Sequence, residues 1–174
     1  MPDSVLSQAI REAYASAPAG VIIYHTIELR HPAFDFPIRV VRDHVDLSAT
    51  LELNAPANAG QLVEFIAFAF DFSKPEVNAI GIPQITIDID NVDRSIVANI
   101  EAAMATTDLV QVTYREFVST DLSAPQNNPP LTMTIMSVTA TALRVTAVAS
   151  FPNLMNIRFP KTEYDTTVFP GLAP

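Results

Sequence analysis

The 174-residue sequence predicts an α+β fold that is mainly antiparallel β. Three observations carry this prediction. Short runs alternating apolar and polar residues recur along the chain, as one-sided strands require. Helical spacing of apolar residues occurs only twice. The connections between strands are mostly short and rich in turn residues, which favours antiparallel neighbours. The expected architecture is a β-sandwich or split barrel of about eight strands, carrying two helices and an extended C-terminal arm.

Asp3 can cap a first helix over about residues 4–16, where Val5, Leu6, Ala9, Ile10, Ala13 and Tyr14 share one face. Ala17-Pro18-Ala19-Gly20 ends it. Val21 to Leu29 is β-branched and aromatic and reads as a strand. Ile38 to Asp43 and Val45 to Leu53 give two more. Leu62 to Phe72 concentrates Phe65, Phe68, Phe70 and Phe72 and reads as the central core strand. Ile85, Ile87 and Ile89 alternate with Thr86, Asp88 and Asp90. Asp93 then caps a second helix over about residues 94–104, with Ile96, Val97, Ile100 and Met104 on one face. Leu109 to Val118 is a strand. Residues 119–130, with Asp121, Pro125, Asn127, Asn128, Pro129 and Pro130, form a mobile-looking loop long enough to suggest an interaction role. Leu131 to Val138 and Ala142 to Ala149 complete the sheet. Residues 1–150 thus make one mainly-β domain.

Residues 151–174 are different. Phe151-Pro152, Phe159-Pro160 and Phe169-Pro170 repeat one dipeptide, and Phe36-Pro37 is a fourth copy. Proline fixes its own φ and pushes the preceding residue into the extended region. Each phenylalanine is therefore held extended, with a ring to bury. The tail reads as an arm that docks on a surface of its own or a neighbouring subunit.

Hydrophobic residues make up 49% of the chain and charged residues only 17%, with a net charge of −9. So few charges imply either deep burial or cover by partners. The ten Lys and Arg are scattered, so there is no basic footprint for gripping nucleic acid. There is no cysteine, which excludes disulfides, thiolate metal sites and cysteine nucleophiles. No apolar run reaches about 18 residues, so no transmembrane helix is expected. Met1-Pro2-Asp3 lacks the basic and apolar regions of a secretory signal, and a cytoplasmic origin is expected.

Catalytic signals are absent from the sequence. No serine sits in a G-x-S-x-G elbow, and the four glycines form no phosphate-cradling cluster. His25, His31 and a carboxylate such as Asp43 could be assembled into a metal site, but their spacing matches no zinc pattern. Hydrogen-bonded structural histidines are the expectation. Asp88, Asp90 and Asp93 resemble the start of a calcium loop without its glycine and final glutamate. They read instead as the wet face of a strand and a helix cap. Glu52, Glu64 and Glu76 carry no pairing signal. In Tyr114-Arg115-Glu116-Phe117, Arg115 and Phe117 share a face opposite Tyr114 and Glu116. Arg115 reads as a surface arginine covering Phe117 with its stem, or as one side of an intersubunit ion pair. No enzyme activity and no cofactor are expected.

Several segments in order resemble a family of uncharacterised tailed-bacteriophage proteins encoded among the tail genes of long-tailed phages. They are Arg11-Glu12-Ala13-Tyr14-Ala15-Ser16-Ala17-Pro18, Thr26-Ile27-Glu28-Leu29-Arg30-His31-Pro32-Ala33-Phe34, Ile89-Asp90-Asn91-Val92-Asp93-Arg94 and Tyr114-Arg115-Glu116-Phe117. The closing Arg158-Phe159-Pro160, Tyr164 and Phe169-Pro170-Gly171-Leu172 extend the match over essentially the whole chain. The resemblance implies a minor tail protein of the virion at the tail tip. It would be similar to ring-forming distal tail proteins with a tail-tube-like fold, assembled in the host cytoplasm. Its partners would be further copies in a ring, six before three, with the tail-tube and hub proteins above and below. The genome would pass through an acidic channel that does not hold it. The residues expected at interfaces are Phe151, Phe159, Tyr164, Phe169, Leu172, Arg115 and Arg158. A receptor- or carbohydrate-binding sandwich is the first alternative, though the chain has no tryptophan and few tyrosines for sugar platforms. A tail assembly chaperone and a wall-degrading hydrolase are the others.

Overall fold

The computed structural model describes residues 8–16, 20–73, 84–90, 103, 106, 108–141 and 144–151. Within them one helix, α1 (Gln8–Ser16), precedes nine strands. These are β1 (Ile23–Arg30), β2 (Ile38–Val41), β3 (Leu47–Thr50), β4 (Leu62–Ala67), β5 (Phe70–Phe72), β6 (Gln84–Asp90), β7 (Gln111–Val118), β8 (Leu131–Ala140) and β9 (Arg144–Ser150). In α1, Ile10 is buried while Gln8, Arg11, Glu12 and Ala15 face solvent, as the apolar stripe predicts. The helix expected at about 94–104 lies outside the described residues, apart from Ala103, which is buried.

The strands form one mixed sheet in the order β3-β4-β2-β1-β7-β8-β9-β6-β5. Every pair is antiparallel except β2–β4. The sheet has to roll. β4 and β5 stand second and last in the order, seven inter-strand steps apart, which on a flat sheet is about 34 Å. Only Phe68 and Ala69 join them, and three residue steps span at most about 11 Å. The far edge must therefore come back over the middle of the sheet. Ring contacts agree: Phe72 of β5 stacks on Tyr114 of β7 with centroids 4.3 Å apart and planes 6° from parallel.

Rolling encloses the main core. Ile27, Leu29, Val40, Val112, Tyr114 and Met133 face Phe70, Ile85, Ile87, Ile89, Ala147 and Ala149 in one buried cluster. Phe151, the first residue of the arm, is half-buried against this same cluster. On the opposite face of β1, β2 and β7, the β3–β4 hairpin builds a second core from Val41, Leu47, Ala49, Leu51, Phe65 and Phe117. The rings of Phe65 and Phe117 meet at 5.9 Å, tilted by 60°. β7 is thus buried along both faces from Val112 to Val118.

Two expectations change. The run Leu62 to Phe72 is not one central strand but two, β4 near one end of the sheet and β5 at the other edge. The Phe68 amide still bonds β2, donating to the Val41 carbonyl at 2.9 Å, and the chain crosses over directly after it. Phe65 then serves the second core and Phe70 the first, and the inward positions change from Val63, Phe65 and Ala67 to Phe68, Phe70 and Phe72, a shift of phase at the crossing. The loop at 119–130 is also pinned more firmly than its composition suggests. Asn127 is buried, its Oδ1 accepting from the Glu116 amide at 3.0 Å and its Nδ2 donating to the Tyr114 carbonyl at 3.1 Å. It continues the β7 ladder past the end of β8 by side-chain bonds. Replacing Asn127 with alanine leaves two buried backbone groups unpaired and is expected to cost about 1–3 kcal/mol, read from urea unfolding. A loss below the error of the measurement would show that the side chain does not hold this loop.

Asp121 closes a turn in the same loop. Its carboxylate accepts from the Ser123 hydroxyl at 2.6 Å and the Ser123 amide at 3.0 Å, which holds its pKa below the ordinary aspartate value. A depressed carboxyl contributes stability above its unfolded pKa and loses it as pH falls through the folded value. The gap in melting temperature between the native chain and Asp121→Ala should therefore narrow on acidification below about pH 4. A gap that stays constant with pH would refute this.

Candidate interaction face

The β3–β4 hairpin and the loop after it position the most distinctive surface of the molecule. In β4 the alternation puts Val63, Phe65 and Ala67 inward and Leu62, Glu64 and Ile66 outward. Leu62 is 70% exposed, and Leu53, on the loop after β3, is 89% exposed. Val45 and Ile66 are exposed as well. Leu62 pairs with Thr50 across the hairpin, and Leu51 donates its amide to the Gln61 carbonyl at 3.0 Å, so the loop starts beside Leu62. Gly60 sits under Leu53. Its φ is +65°, and a Cβ there would lie 3.0 Å from Leu53 Cδ2. The backbone favours glycine at this point, and a Cβ would only push exposed Leu53 aside.

The loop is not free to move away, because charged side chains hold it from below. Glu52 reaches the buried guanidinium of Arg115 with two parallel bonds of 2.8 Å, from Nε to Oε2 and from Nη2 to Oε1. The Glu52 carbonyl also accepts from Ala55 at 3.1 Å and Gly60 at 3.2 Å, folding the loop back on itself. Farther along, Asn58 Oδ1 accepts from Arg39 Nη2 at 2.8 Å, and its Nδ2 donates to Gln61 at 2.9 Å. Arg39 in turn donates from Nε to Glu28 Oε2 at 2.7 Å. Glu28 is fully buried and lies 3.7 Å from Arg115 Nη1 and 3.5 Å from Arg30 Nε. Three arginines and two glutamates thus form one network between the sheet and the loop. The doubly bonded Glu52–Arg115 pair is tolerable in the interior, while Glu28 Oε1, Arg30 Nε and Arg115 Nη1 meet their partners only as ion contacts of 3.5–3.7 Å.

Arg115 corrects a prediction. It is fully buried and its partner is Glu52 of the same chain, so it offers no surface to a neighbour. Glu52, which carries no pairing signal in the sequence, is brought to Arg115 by the fold. The face assignment of this motif holds: Tyr114 and Glu116 point the other way, into the rolled core. There Tyr114 Oη donates to Glu116 Oε1 at 2.5 Å and meets His25 Nδ1 at 2.7 Å. His31 is buried and hydrogen-bonded too, its Nδ1 accepting from the Ala33 amide at 3.0 Å. On β6 the isoleucines are buried, and Asp88 on the opposite face accepts from Thr146 Oγ1 at 2.5 Å. Among the described residues, no group of three His, Asp or Glu comes together as a metal site. No described helix is long and apolar enough to cross a membrane.

Of the residues expected at interfaces, Phe151 lies on its own subunit's core. Arg158, Phe159, Tyr164, Phe169 and Leu172 lie outside the described residues. The apolar face around Leu53 and Leu62 escaped the sequence, because Leu53 and Leu62 each continue an alternation that reads as core-facing.

Residues 9–164 match the family described as Domain of unknown function (DUF1833). The chain belongs to this family. It is a phage-associated family, which agrees with the resemblance drawn from the sequence motifs at that level. No curated protein matches the chain.

Proposed function

We propose that this DUF1833 protein is a structural component of a long-tailed phage tail tip, a ring or adaptor subunit between tube and hub. The observation that carries this reading is the face around Leu53, Leu62, Val45 and Ile66. Large exposed apolar side chains gathered on one hairpin and its flanking loops favour an interaction site. Here it is also preorganised, because the Glu52–Arg115 and Asn58–Arg39 bonds hold the loop that presents it. Preorganisation lowers the ordering cost of association. A face near one edge of a rolled sheet suits a heterologous contact, in which one patch meets a different patch on the next copy and the ring closes. The rolled sheet supports a split-barrel description of the fold, as in tail-tube-like subunits. The phage association of the family supports the setting. Net negative charge suits a wall that DNA slides past.

The test is the protein content of purified virions, combined with the mass of the isolated chain by light scattering. Several copies per particle and a discrete oligomer in solution are expected. A chain that is monomeric at every concentration and absent from virions would instead indicate an assembly chaperone. The receptor-binding alternative gains nothing from the β3–β4 face, whose exposed apolar residues are aliphatic; exposed Phe36 lies on another loop.

A further inference from the structure

β3 ends the sheet order, so among the described strands none pairs with it on its outer side. Leu51 bonds Gln61 directly across the hairpin. On the period of an antiparallel ladder, Leu47 and Ala49 then bond β4 as well, while Ser48 and Thr50 turn their backbone groups outward. An open edge of this kind is a template for another chain, and proteins blunt it with a charge, a proline or a bulge. β5, the other terminal strand, carries Asp71 among its three residues. β3 is Leu47-Ser48-Ala49-Thr50, in regular register, and has none of these devices.

A loop lies along it instead. The outward Thr50 amide donates to the Leu122 carbonyl at 2.9 Å, and the Leu122 side chain is half-buried on the second core. The segment around Leu122 is tied down on both sides. Before it, Ser119 donates its amide to the Ile22 carbonyl at 2.9 Å and accepts from the Ile22 amide on Oγ at 3.0 Å. The Asp121 amide donates to the Val118 carbonyl at 2.8 Å. After it, the Gln126 amide donates to the Glu116 carbonyl at 2.8 Å, and the Asn127 side chain follows with its two bonds to β7.

We propose that residues 119–127 are an edge guard, in which Leu122 takes the place that β3 of a second copy would occupy beside β3. Antiparallel pairing about a two-fold axis sets one residue against itself, and Ser48 is positioned for it. Its outward amide and carbonyl would exchange both bonds with Ser48 of the other copy. The next bond in that ladder would run from the Thr50 amide to the Asp46 carbonyl of the other copy. That amide is the one Leu122 holds. With it taken, exposed Ser48 alone is left, too short a run for a strand. The guard leaves the Leu53 and Leu62 side chains open, so association is channelled to the face and away from the edge. Its role does not depend on the chain being a tail subunit.

The chain has no cysteine, so Ser48→Cys reports this pairing cleanly. Two-fold pairing brings the Cα atoms at position 48 to about 5.5 Å, within disulfide range. Under mild oxidation Ser48→Cys alone should give little disulfide-linked dimer. Adding Leu122→Asp, which drives the guard off the second core, should raise the dimer at least about tenfold. Leu122→Gly is the milder release if the aspartate prevents folding, which circular dichroism reads. Without the cysteine, the released chain should self-associate in sedimentation more strongly than the native chain. Ser48→Pro should reverse this, because a proline there removes the outward amide and no bond to β4. Equal cross-linking with and without release would overturn the proposal. So would association of the released chain that Ser48→Pro leaves unchanged.

Discussion

Arg115→Met lowers the unfolding free energy by about 3–5 kcal/mol, the cost of leaving a buried charge without its partner. Arg115 is fully buried, and it holds Glu52 through two bonds of 2.8 Å. Removing the guanidinium strands Glu52 under the loop and takes one of the cations from beside Glu28, which lies 3.7 Å away. Arg39 still covers Glu28, so the loss stays within the range for one broken pair. The denaturant midpoint should fall while the slope of the transition stays constant. The double variant Arg115→Met with Glu52→Leu should recover much of the loss, since both charges are then gone. A single variant that loses under about 1 kcal/mol would behave like a surface pair and would mean that the network does not hold the loop.

Leu53→Asp combined with Leu62→Asp has the opposite signature: little effect on stability and a large effect on assembly. Both side chains are mostly in solvent, and exposed substitutions usually stay within about 0.5 kcal/mol. In an assembled ring the same positions would be buried, and two carboxylates without partners are strongly disfavoured there. Association measured by sedimentation should weaken by more than about a hundredfold, with each aspartate removing at least about 1.4 kcal/mol. Unchanged association would remove this face from the interface.

Much of the fold was legible in the sequence, because strands with one buried face announce themselves by alternation. Ile85, Ile87 and Ile89 are buried as their period requires, and β7, β8 and β9 fall where apolar and β-branched residues alternate. What could not be read is where an alternating run changes neighbours. Leu62 to Phe72 shifts its phase between Phe65 and Phe68, but nothing in that shift says that the chain passes from one end of the sheet order to the other. Period-2 spacing records which side a residue faces, not which strand it sits beside. The charge network was hidden for a related reason. Tyr24, Thr26, Glu28 and Arg30 look like the wet side of β1, and only the β3–β4 hairpin folding over them makes them interior. A faint signal was present: Leu47, Ala49 and Leu51 need a surface to cover, and that side of β1 and β7 was available. Leu53 and Leu62 continue core-like alternations and gave no warning that they end in solvent.

An electron-microscopic reconstruction of the intact particle at side-chain resolution tests the tail-ring assignment most directly. The expected result is a closed ring of this chain at the tail end, with Leu53 and Leu62 of each copy buried against the next. A particle that lacks the chain, or a ring in which the β3–β4 face is bare to solvent, would contradict it.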